Sequence, residues 1–322
     1  MIRLEALTKT FATPKGSVTA VDGVSLEVRQ GETCVLLGPS GCGKTTTLRM
    51  INRLVAPTSG KIFLSGRDTD TVDPVELRRG IGYVIQQIGL FPNMTVAENI
   101  GVVPRLLGWD AARRRRRAAE LLSLLGLPPA DFADRYPNEL SGGQAQRIGV
   151  ARALAVDPPV LLMDEPFAAL DPVNREAVQG EFLRMQVKLR KTILFVSHDI
   201  DEAVKMADRI AIFHSGRLVQ FAEPDEMLAH PADAFVASFV GSDRTLKRLR
   251  LICVREVMTP LEGGRVDTGP PTVSPDDDLR RVAALFLEHG TESLSCADAA
   301  GRVVGVVTRE AVARRLAAEG SR

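Results

Sequence analysis

The sequence predicts an α/β fold with a mainly parallel core sheet, and three short apolar segments carry that prediction. They are residues 32–37, 159–163 and 192–196, which are apolar or β-branched over most of their length. Continuous runs of this kind are typical of strands covered on both faces. Helical stretches lie between them, and this alternation favours a parallel sheet packed between helices.

The elements around the first strand follow from local signals. Residues 44–54 have helical character and end before Pro57 and the turn at residues 58–60. The alternation of strand and helix then stops, because residues 91–154 are mainly helical. Asp110 is suited to cap a helix through the arginine run 113–117, which closes near residues 126–129. Consecutive residues point all round a helix, so we interpret the arginines as a solvated surface.

A composition change near residues 241–243 predicts a second domain. Beyond it the chain consists of short β-like runs separated by turns, such as residues 301–308. A length of 322 residues is sufficient for two domains. We therefore expect a first domain over residues 1–240, a linker over 241–254 and a small α/β tail over 255–322.

Composition and charge exclude several classes of protein. A net charge of +1 gives no reason to expect a nucleic-acid partner. No apolar run approaches the roughly 20 residues that span a bilayer, and the first residues lack the apolar core of an export signal. The four cysteines are far apart and have no metal-ligand spacing, which indicates reduced thiols. We expect a cytoplasmic protein.

Residues 38–45, GPSGCGKT, carry the clearest chemistry. They fit the pattern G-x-x-x-x-G-K-[ST] between a predicted strand and a predicted helix, where backbone N–H groups converge on phosphate oxygens. Lys44 is expected to reach the β- and γ-phosphates, and Thr45 to offer a hydroxyl to Mg²⁺. The predicted phosphate-binding residues are Gly38, Pro39, Ser40, Gly41, Cys42, Gly43, Lys44, Thr45 and Thr46.

Two further strands end in groups that suit nucleotide hydrolysis. Asp164 ends one apolar run and is expected to hold Mg²⁺, and Glu165 is placed to act as general base toward a water. His198 follows the run 192–196, whose carboxyl end should lie at the same sheet edge, so we expect a catalytic role for it. Asp199 is a suitable cap for the following helix.

A second glycine-rich stretch, LSGGQAQR at residues 140–147, needs a separate explanation. In the order found here, the motifs resemble those of the nucleotide-binding subunits of ATP-binding cassette (ABC) importers, over residues 1–240. That resemblance implies the P-loop NTPase cassette fold with a helical subdomain at 91–154, and ATP with Mg²⁺ as cofactors. It also implies that Phe11 stacks on adenine, that Gln86 contacts Mg²⁺ and water and responds to the membrane subunit, and that Asp171 lies at a dimer contact.

The same resemblance explains the second stretch. It implies a head-to-tail homodimer in which the γ-phosphate bound by one subunit is covered by residues of the other. These residues are Ser141, Gly142, Gly143 and Gln144. The implied partners are integral-membrane permease subunits and an extracytoplasmic solute-binding protein, with no nucleic acid. The implied location is peripheral, at the cytoplasmic face of the inner or plasma membrane.

The tail resembles a single cystathionine-β-synthase-type (CBS) repeat, through residues 257–259, 271–275 and 305–308. Such repeats pair, so the resemblance implies pairing with the tail of the second subunit. The family's ribose-contacting Asp is replaced by Ala311, which argues against an adenosine nucleotide as ligand. A cassette followed by such a tail, together with residues 85–92 and 239–244, resembles importers of glycine betaine, carnitine and choline.

Other functions remain open at this point. The solute is alternatively a polyamine, an amino acid or an inorganic anion, and the protein is alternatively a soluble ABC ATPase without a transport role or a sensor with an inactive cassette. The tail either binds a ligand, senses ionic strength or supports the dimer. For ionic-strength sensing we expect exposed charges at Lys247, Arg248, Arg250 and residues 276–278.

Overall fold

The computed structural model describes residues 1–14, 16–86, 89–168, 170–261 and 271–317. Residues 87 and 88, which belong to the predicted stretch 85–92, residue 169 near Asp171, and parts of the tail lie outside the described residues. The chain divides into two compact units, Met1–Phe221 and Ala222–Arg322.

The chain up to residue 222 alternates between strands and helices. Its strands are β1 (Ile2–Thr13), β2 (Gly16–Val28), β3 (Thr33–Leu37), β4 (Ser59–Leu64), β5 (Arg67–Asp68), β6 (Ile81–Val84), β7 (Val160–Asp164), β8 (Thr192–Val196), β9 (Arg209–His214) and β10 (Arg217–Ala222). Its helices are α1 (Lys44–Ile51), α2 (Pro74–Arg79), α3 (Val96–Ile100), α4 (Val102–Leu106), α5 (Ala111–Leu124), α6 (Pro129–Phe132), α7 (Gly142–Leu154), α8 (Pro172–Leu189) and α9 (Ile200–Met206).

The predicted parallel sheet is confirmed. Within the described residues it has six strands in the order β10-β9-β3-β8-β7-β6. Strands β9, β3, β8, β7 and β6 pair in parallel from neighbour to neighbour. Every residue of β3, β7 and β8 is buried, as their apolar sequences require of strands covered on both faces. Their carboxyl ends therefore meet at one edge of the sheet.

A second, antiparallel sheet lies in the same unit, with the strand order β2-β1-β4-β5. Its β1 and β2 pair from Ile2 with Val28 to Thr13 with Gly16, and the register shifts along the way. Apolar residues of these strands join the core that also contains residues of β3, β7 and β8.

The helical subdomain runs from α3 to α7, between β6 and β7 in the chain. Asp110 caps α5 as predicted, since its Oδ1 accepts a hydrogen bond of 2.8 Å from the backbone N–H of Arg113. The arginine run has two kinds of member. Arg113, Arg115 and Arg116 are exposed, whereas Arg117 donates to the carbonyls of residues 154 and 155 and Arg114 to that of residue 109. The run is therefore only partly a solvated surface, because two arginines satisfy backbone carbonyls at helix ends.

The second unit contains a small sheet with helices. Its elements after β10 are α10 (Pro224–Ala229), α11 (Ala234–Val240), α12 (Arg244–Arg248), β11 (Thr259–Pro260), β12 (Thr272–Val273), α13 (Leu279–His289), β13 (Ser293–Ala297), β14 (Val303–Thr308) and α14 (Arg309–Ala317). In the part of this unit that is described, four strands lie in the order β11-β14-β13-β12.

Residues 241–254, expected as a linker, take part in this second unit. Leu249, Ile252 and Val254 are buried in the same apolar cluster as Val282 and Phe286 of α13. The position of the domain boundary stays a prediction.

The expected exposure of two basic side chains in this segment is wrong. Lys247 is 7% exposed and Arg248 is 5% exposed. Lys247 pairs with Asp243, and Arg248 pairs with Asp225 through an Nε–Oδ1 contact of 2.7 Å and donates to the carbonyl of Leu316. Burial of a charge is tolerated when a carboxylate and hydrogen bonds compensate it. The partners of Arg248 lie far from it in the sequence, and the partner of Lys247 is brought near by the geometry of a helix. The composition of the segment therefore did not indicate either contact.

Candidate nucleotide-binding site

The loop between β3 and α1 has a backbone that only glycine fits at two positions. Gly38 and Gly43 have φ angles of 144° and 105°. A Cβ atom would lie 2.2 Å from the carbonyl oxygen of Phe213 at Gly38, and 2.3 Å from that of Ala20 at Gly43. Both contacts are with backbone, which cannot move aside. The loop is therefore held close to β2 and β9, with its N–H groups at the start of a helix.

Lys44 lies in this loop at the first position of α1 and is buried. Its ammonium group donates to the carbonyl oxygens of Gly38 and Pro39 at 2.7 and 2.9 Å. The side chain thus folds back across the loop. Its charge is positioned where phosphate oxygens would meet the backbone N–H groups.

A cleft of about 400 Å³ opens beside this loop. It joins the loop to the segments that follow β6, β7 and β8, as expected for strands that end at one edge. Its lining residues are Ser40, Gly41, Cys42, Gly43, Lys44, Thr45, Thr46, Gln86, Glu165 and His198. The structure thus brings together the three predicted catalytic residues and most of the predicted phosphate-binding residues.

Thr45, which lines the cleft, contacts Asp164. The Thr45 hydroxyl donates to Asp164 Oδ1 at 2.9 Å. Asp164 is buried, and desolvation raises the pKa of its carboxyl, although the Thr45 hydrogen bond opposes this. Burial makes this carboxyl group costly to ionise, and a nearby cation would stabilise its charged form.

Glu165 meets both of the other predicted catalytic side chains. Its φ of 46° is unusual for a residue with a side chain, and its N–H donates to the carbonyl of Val196 at 3.1 Å. Its Oε2 accepts a 2.8 Å hydrogen bond from Gln86 Nε2 and lies 3.7 Å from His198 Nδ1. Two side chains, from the segments that follow β6 and β8, therefore converge on one carboxylate oxygen of the residue that follows β7.

Phe11 lies outside the lining of this cleft. It is an exposed residue of β1 whose ring lies 5.0 Å from Lys9 Nζ, and it pairs with Val18 on β2. Ala20, which lies on β2 like Val18, comes close to Gly43 of the phosphate loop. The sheet that contains Phe11 therefore borders this loop. Its contact with adenine stays a prediction.

The LSGGQ residues also lie outside the cleft. Ser141 caps α7, since its Oγ accepts from the Gln144 N–H at 3.3 Å and Gln144 Oε1 accepts from the Ser141 N–H at 2.9 Å. Ser141 and Gly142 are exposed, and Gly143 packs near Val178. This capping box was not predicted, although S-x-x-Q before a helix is its known signature. Asp171 is likewise exposed and outside the cleft.

These features together define an ATP-binding cassette: a P-loop at the edge of a parallel sheet, a helical subdomain and a separate LSGGQ helix start. The family model described as ABC transporter matches residues 21–168, and the model described as CBS domain matches residues 254–318. The osmoprotectant import ATP-binding protein OsmV of Salmonella typhimurium is 57% identical over 312 residues, which are 96% of this chain and 79% of that protein. The chain belongs to the ABC transporter family and is one of its ATP-binding, ATP-hydrolysing subunits.

Further relatives and solved structures agree with this assignment. The glycine betaine/carnitine/choline transport ATP-binding protein OpuCA of Bacillus subtilis is 49% identical over 313 residues, covering 97% of this chain and 79% of that protein. The dimeric post-hydrolysis structure of the ATP-binding cassette MJ0796, bound to ADP and Pi, is 35% identical. It aligns with a TM-score of 0.63 over 70% of this chain and 99% of that one. The predicted family and fold are confirmed.

Proposed function

We propose that this chain is the ATPase subunit of an importer for quaternary-amine osmoprotectants such as glycine betaine, carnitine and choline. The convergence of Gln86 and His198 on Glu165, beside the phosphate loop, carries the catalytic part of the proposal. The transport roles of OsmV and OpuCA support the choice of solute. The alternative is another small solute, such as a polyamine, an amino acid or an anion.

In the proposed reaction the chain holds ATP and activates a water. The N–H groups of the phosphate loop and the Lys44 ammonium bind the β- and γ-phosphates. Glu165 takes the proton of a water whose oxygen attacks the γ-phosphorus. The bond from the γ-phosphorus to the β–γ bridging oxygen breaks, and ADP leaves with that oxygen while phosphate is released. Gln86 keeps the Glu165 carboxylate in place through its 2.8 Å hydrogen bond. We assign His198, which faces the same oxygen, to orienting the water and the γ-phosphate.

The residues beside the phosphates suit Mg²⁺. The Thr45 hydroxyl, the Asp164 carboxylate and the Gln86 amide oxygen are all oxygen ligands, the type that this ion prefers. The pKa of Asp164 supports the fit, because burial raises it and a cation would reverse that effect. When bound, the ion neutralises phosphate charge. We propose Thr45, Asp164 and Gln86 as its protein ligands.

We propose that the chain works as a homodimer in which the LSGGQ residues of one subunit complete the ATP site of the other. Ser141 and Gly142 are exposed and lie outside the cleft of their own chain. A second copy brought head to tail would supply them as donors at the positive end of a helix. The dimeric cassette of similar fold supports this arrangement. Asp171 and Phe11 keep their predicted roles at the dimer contact and at the adenine.

A groove next to the ATP cleft is our candidate for the permease contact. It has a volume of about 370 Å³, and its lining includes the exposed Ile85 and Phe91 together with Val102 and Val103. Ile85 lines this groove and the next residue, Gln86, lines the ATP cleft. A permease segment in the groove would therefore act directly on the residue that holds Glu165.

The same contact accounts for the proposed location. No helix in the described ranges is both long and apolar enough to cross a membrane. We propose peripheral attachment at the cytoplasmic face through the permease, and a system that also contains an extracytoplasmic solute-binding protein. The first domain, residues 1–240, would carry the ATPase activity, and the tail would control that activity.

Reconstitution with the permease and binding protein tests the proposed function. Vesicles containing the complex should take up radiolabelled glycine betaine, carnitine or choline when supplied with ATP, and unlabelled polyamine or amino acid should not compete. Phe91→Asp should abolish uptake because it places a charge in the groove, whereas Val187→Asp at an exposed apolar residue outside the groove should not. Competition by a polyamine instead would contradict the solute, and normal uptake by Phe91→Asp would contradict the groove.

Deleting residues 250–322 should leave ATP hydrolysis intact but weaken its control, because all predicted catalytic residues precede residue 240. If the tail senses ionic strength, exposed charges such as Arg250 and Asp276 should respond to screening. The screening length falls from about 10 Å at 0.1 M to about 3 Å at 1 M salt. The buried Lys247 and Arg248 would respond less.

The measurement is uptake by the complex across a salt series, with full-length and truncated chains. Truncation removes neighbours of Leu249 in the tail core, so thermal melting and ATPase activity of the truncated chain are the controls. A salt response that survives truncation would contradict sensing by the tail and would favour a role in supporting the dimer.

A further inference from the structure

A buried carboxylate behind the His198 loop takes no part in the reaction described above. Glu202 of α9 is 7% exposed. Its Oε2 accepts a hydrogen bond from the Ser197 hydroxyl, and its Oε1 accepts one of 2.9 Å from Gln179 Nε2. Burial raises the pKa of the Glu202 carboxyl, whereas these two donors favour its charged form. A buried carboxylate that accepts a hydrogen bond at each oxygen fixes the position of its donors.

The donor that matters for catalysis is Ser197, the residue before His198. Its Oγ donates to Glu202 and accepts from the Asp199 N–H at 3.0 Å. This hydroxyl group therefore links Ser197, which precedes His198, to the backbone of Asp199, which follows it. The His198 side chain is itself 62% exposed, so the loop backbone, and not packing of the ring, sets where its imidazole lies.

Arg175 of α8 connects this loop to the predicted dimer contact. Its guanidinium donates to the carbonyl of Leu170 at 2.9 Å and lies 3.8 Å from Asp199 Oδ2. Its backbone N–H donates to the carbonyl of Asp171 at 2.8 Å. Arg175 and Glu202 also line one small pocket with Glu165 and His198. The segment that ends at Asp171 is thus connected to the His198 loop through a single side chain.

We propose that Glu202 is a positioning residue that holds His198 against Glu165 through Ser197, and that Arg175 links the Leu170–Asp171 segment to the same loop. A displacement of the Leu170–Asp171 segment would then also displace the His198 loop. This inference deepens the proposed function and rests on the role of His198 given there.

A double-mutant cycle tests the inference. Glu202→Gln keeps the shape of the side chain but presents an N–H donor to groups that already donate. We expect kcat to fall about 10-fold, which corresponds to about 1.4 kcal/mol, with the Kd for ATP unchanged because Glu202 does not line the ATP cleft. Combined with His198→Ala, it should cause no further loss, since residues that act as a unit are not additive. Arg175→Lys should behave in the same way.

Two comparisons complete the design. Glu176→Gln makes the same chemical change at an exposed position of α8 and should leave kcat unchanged. If Glu202→Gln lowers the melting temperature too far, Ser197→Ala removes the same hydrogen bond with a smaller change. If the loss of kcat in these variants multiplies with the loss in His198→Ala, the inference is overturned and the proposed function is not. A His198→Ala enzyme with normal hydrolysis would overturn the role of His198 and the inference with it.

Discussion

Replacing Glu165 with glutamine should lower ATP hydrolysis by about 10²–10⁴-fold, the usual contribution of a general base. Glutamine keeps the size of the side chain but cannot take a proton from water. ATP binding should persist, because the phosphate-loop backbone and Lys44 remain. The variant should accumulate as an ATP-bound dimer, since closure no longer leads to turnover. ATPase assays, nucleotide binding and size-exclusion chromatography of the purified chain measure these effects.

The structure also indicates what would contradict this result. Glu165 accepts the Gln86 amide at 2.8 Å, and the glutamine variant would have to lose or reverse that hydrogen bond. Gln86→Ala removes this hydrogen bond and the proposed Mg²⁺ ligand but keeps the base. A larger loss of hydrolysis in Glu165→Gln than in Gln86→Ala therefore reports the contribution of the base. Near-normal hydrolysis by purified Glu165→Gln would remove this residue from the role of general base.

Mixing two inactive variants should restore part of the ATPase activity. Lys44→Ala disables the phosphate loop and Ser141→Arg disables the LSGGQ start. In a mixed dimer both defects fall in one composite site, and the other site is intact. Homodimers of either variant should be inactive, because each of their sites contains one defect. Activity of the mixture above that of the separate variants, at equal total protein, is the measurement.

The Ser141 variant needs a control for the helix cap that it removes. Loss of such a cap costs about 1 kcal/mol of stability, and Ser141 forms a capping box with Gln144. Thr95 and Glu98 form a second capping box, at α3. Thr95→Arg therefore removes a cap in the same subdomain without touching the predicted site, and it should stay active. Activity in the Ser141→Arg homodimer would show that the loop does not reach the γ-phosphate.

Local signals were sufficient for the core strands and several helix starts. Runs such as residues 192–196 are apolar at nearly every position, so only a strand covered on both faces buries them. Asp110 and Asp199 were identified as caps because a short acceptor before a helix has a local partner. The antiparallel sheet was not predicted. Its register joins Phe11 to Val18 but also Ile2 to Leu64, and pairings that far apart leave little trace in a local pattern.

The chemical groups of the site could be identified from local sequence patterns. Two such patterns are the spacing of glycines around Lys44 and the pair Asp164–Glu165 after an apolar run. Each of them reflects a physical requirement of the site. Folding alone places Gln86 and His198 beside one carboxylate oxygen of Glu165, and it alone buries Arg248 against Asp225. Parallel strands bring their carboxyl ends to one edge however far apart they lie in the chain. Burial of a charge depends on a partner that folding supplies, so neither result can be read from neighbouring residues.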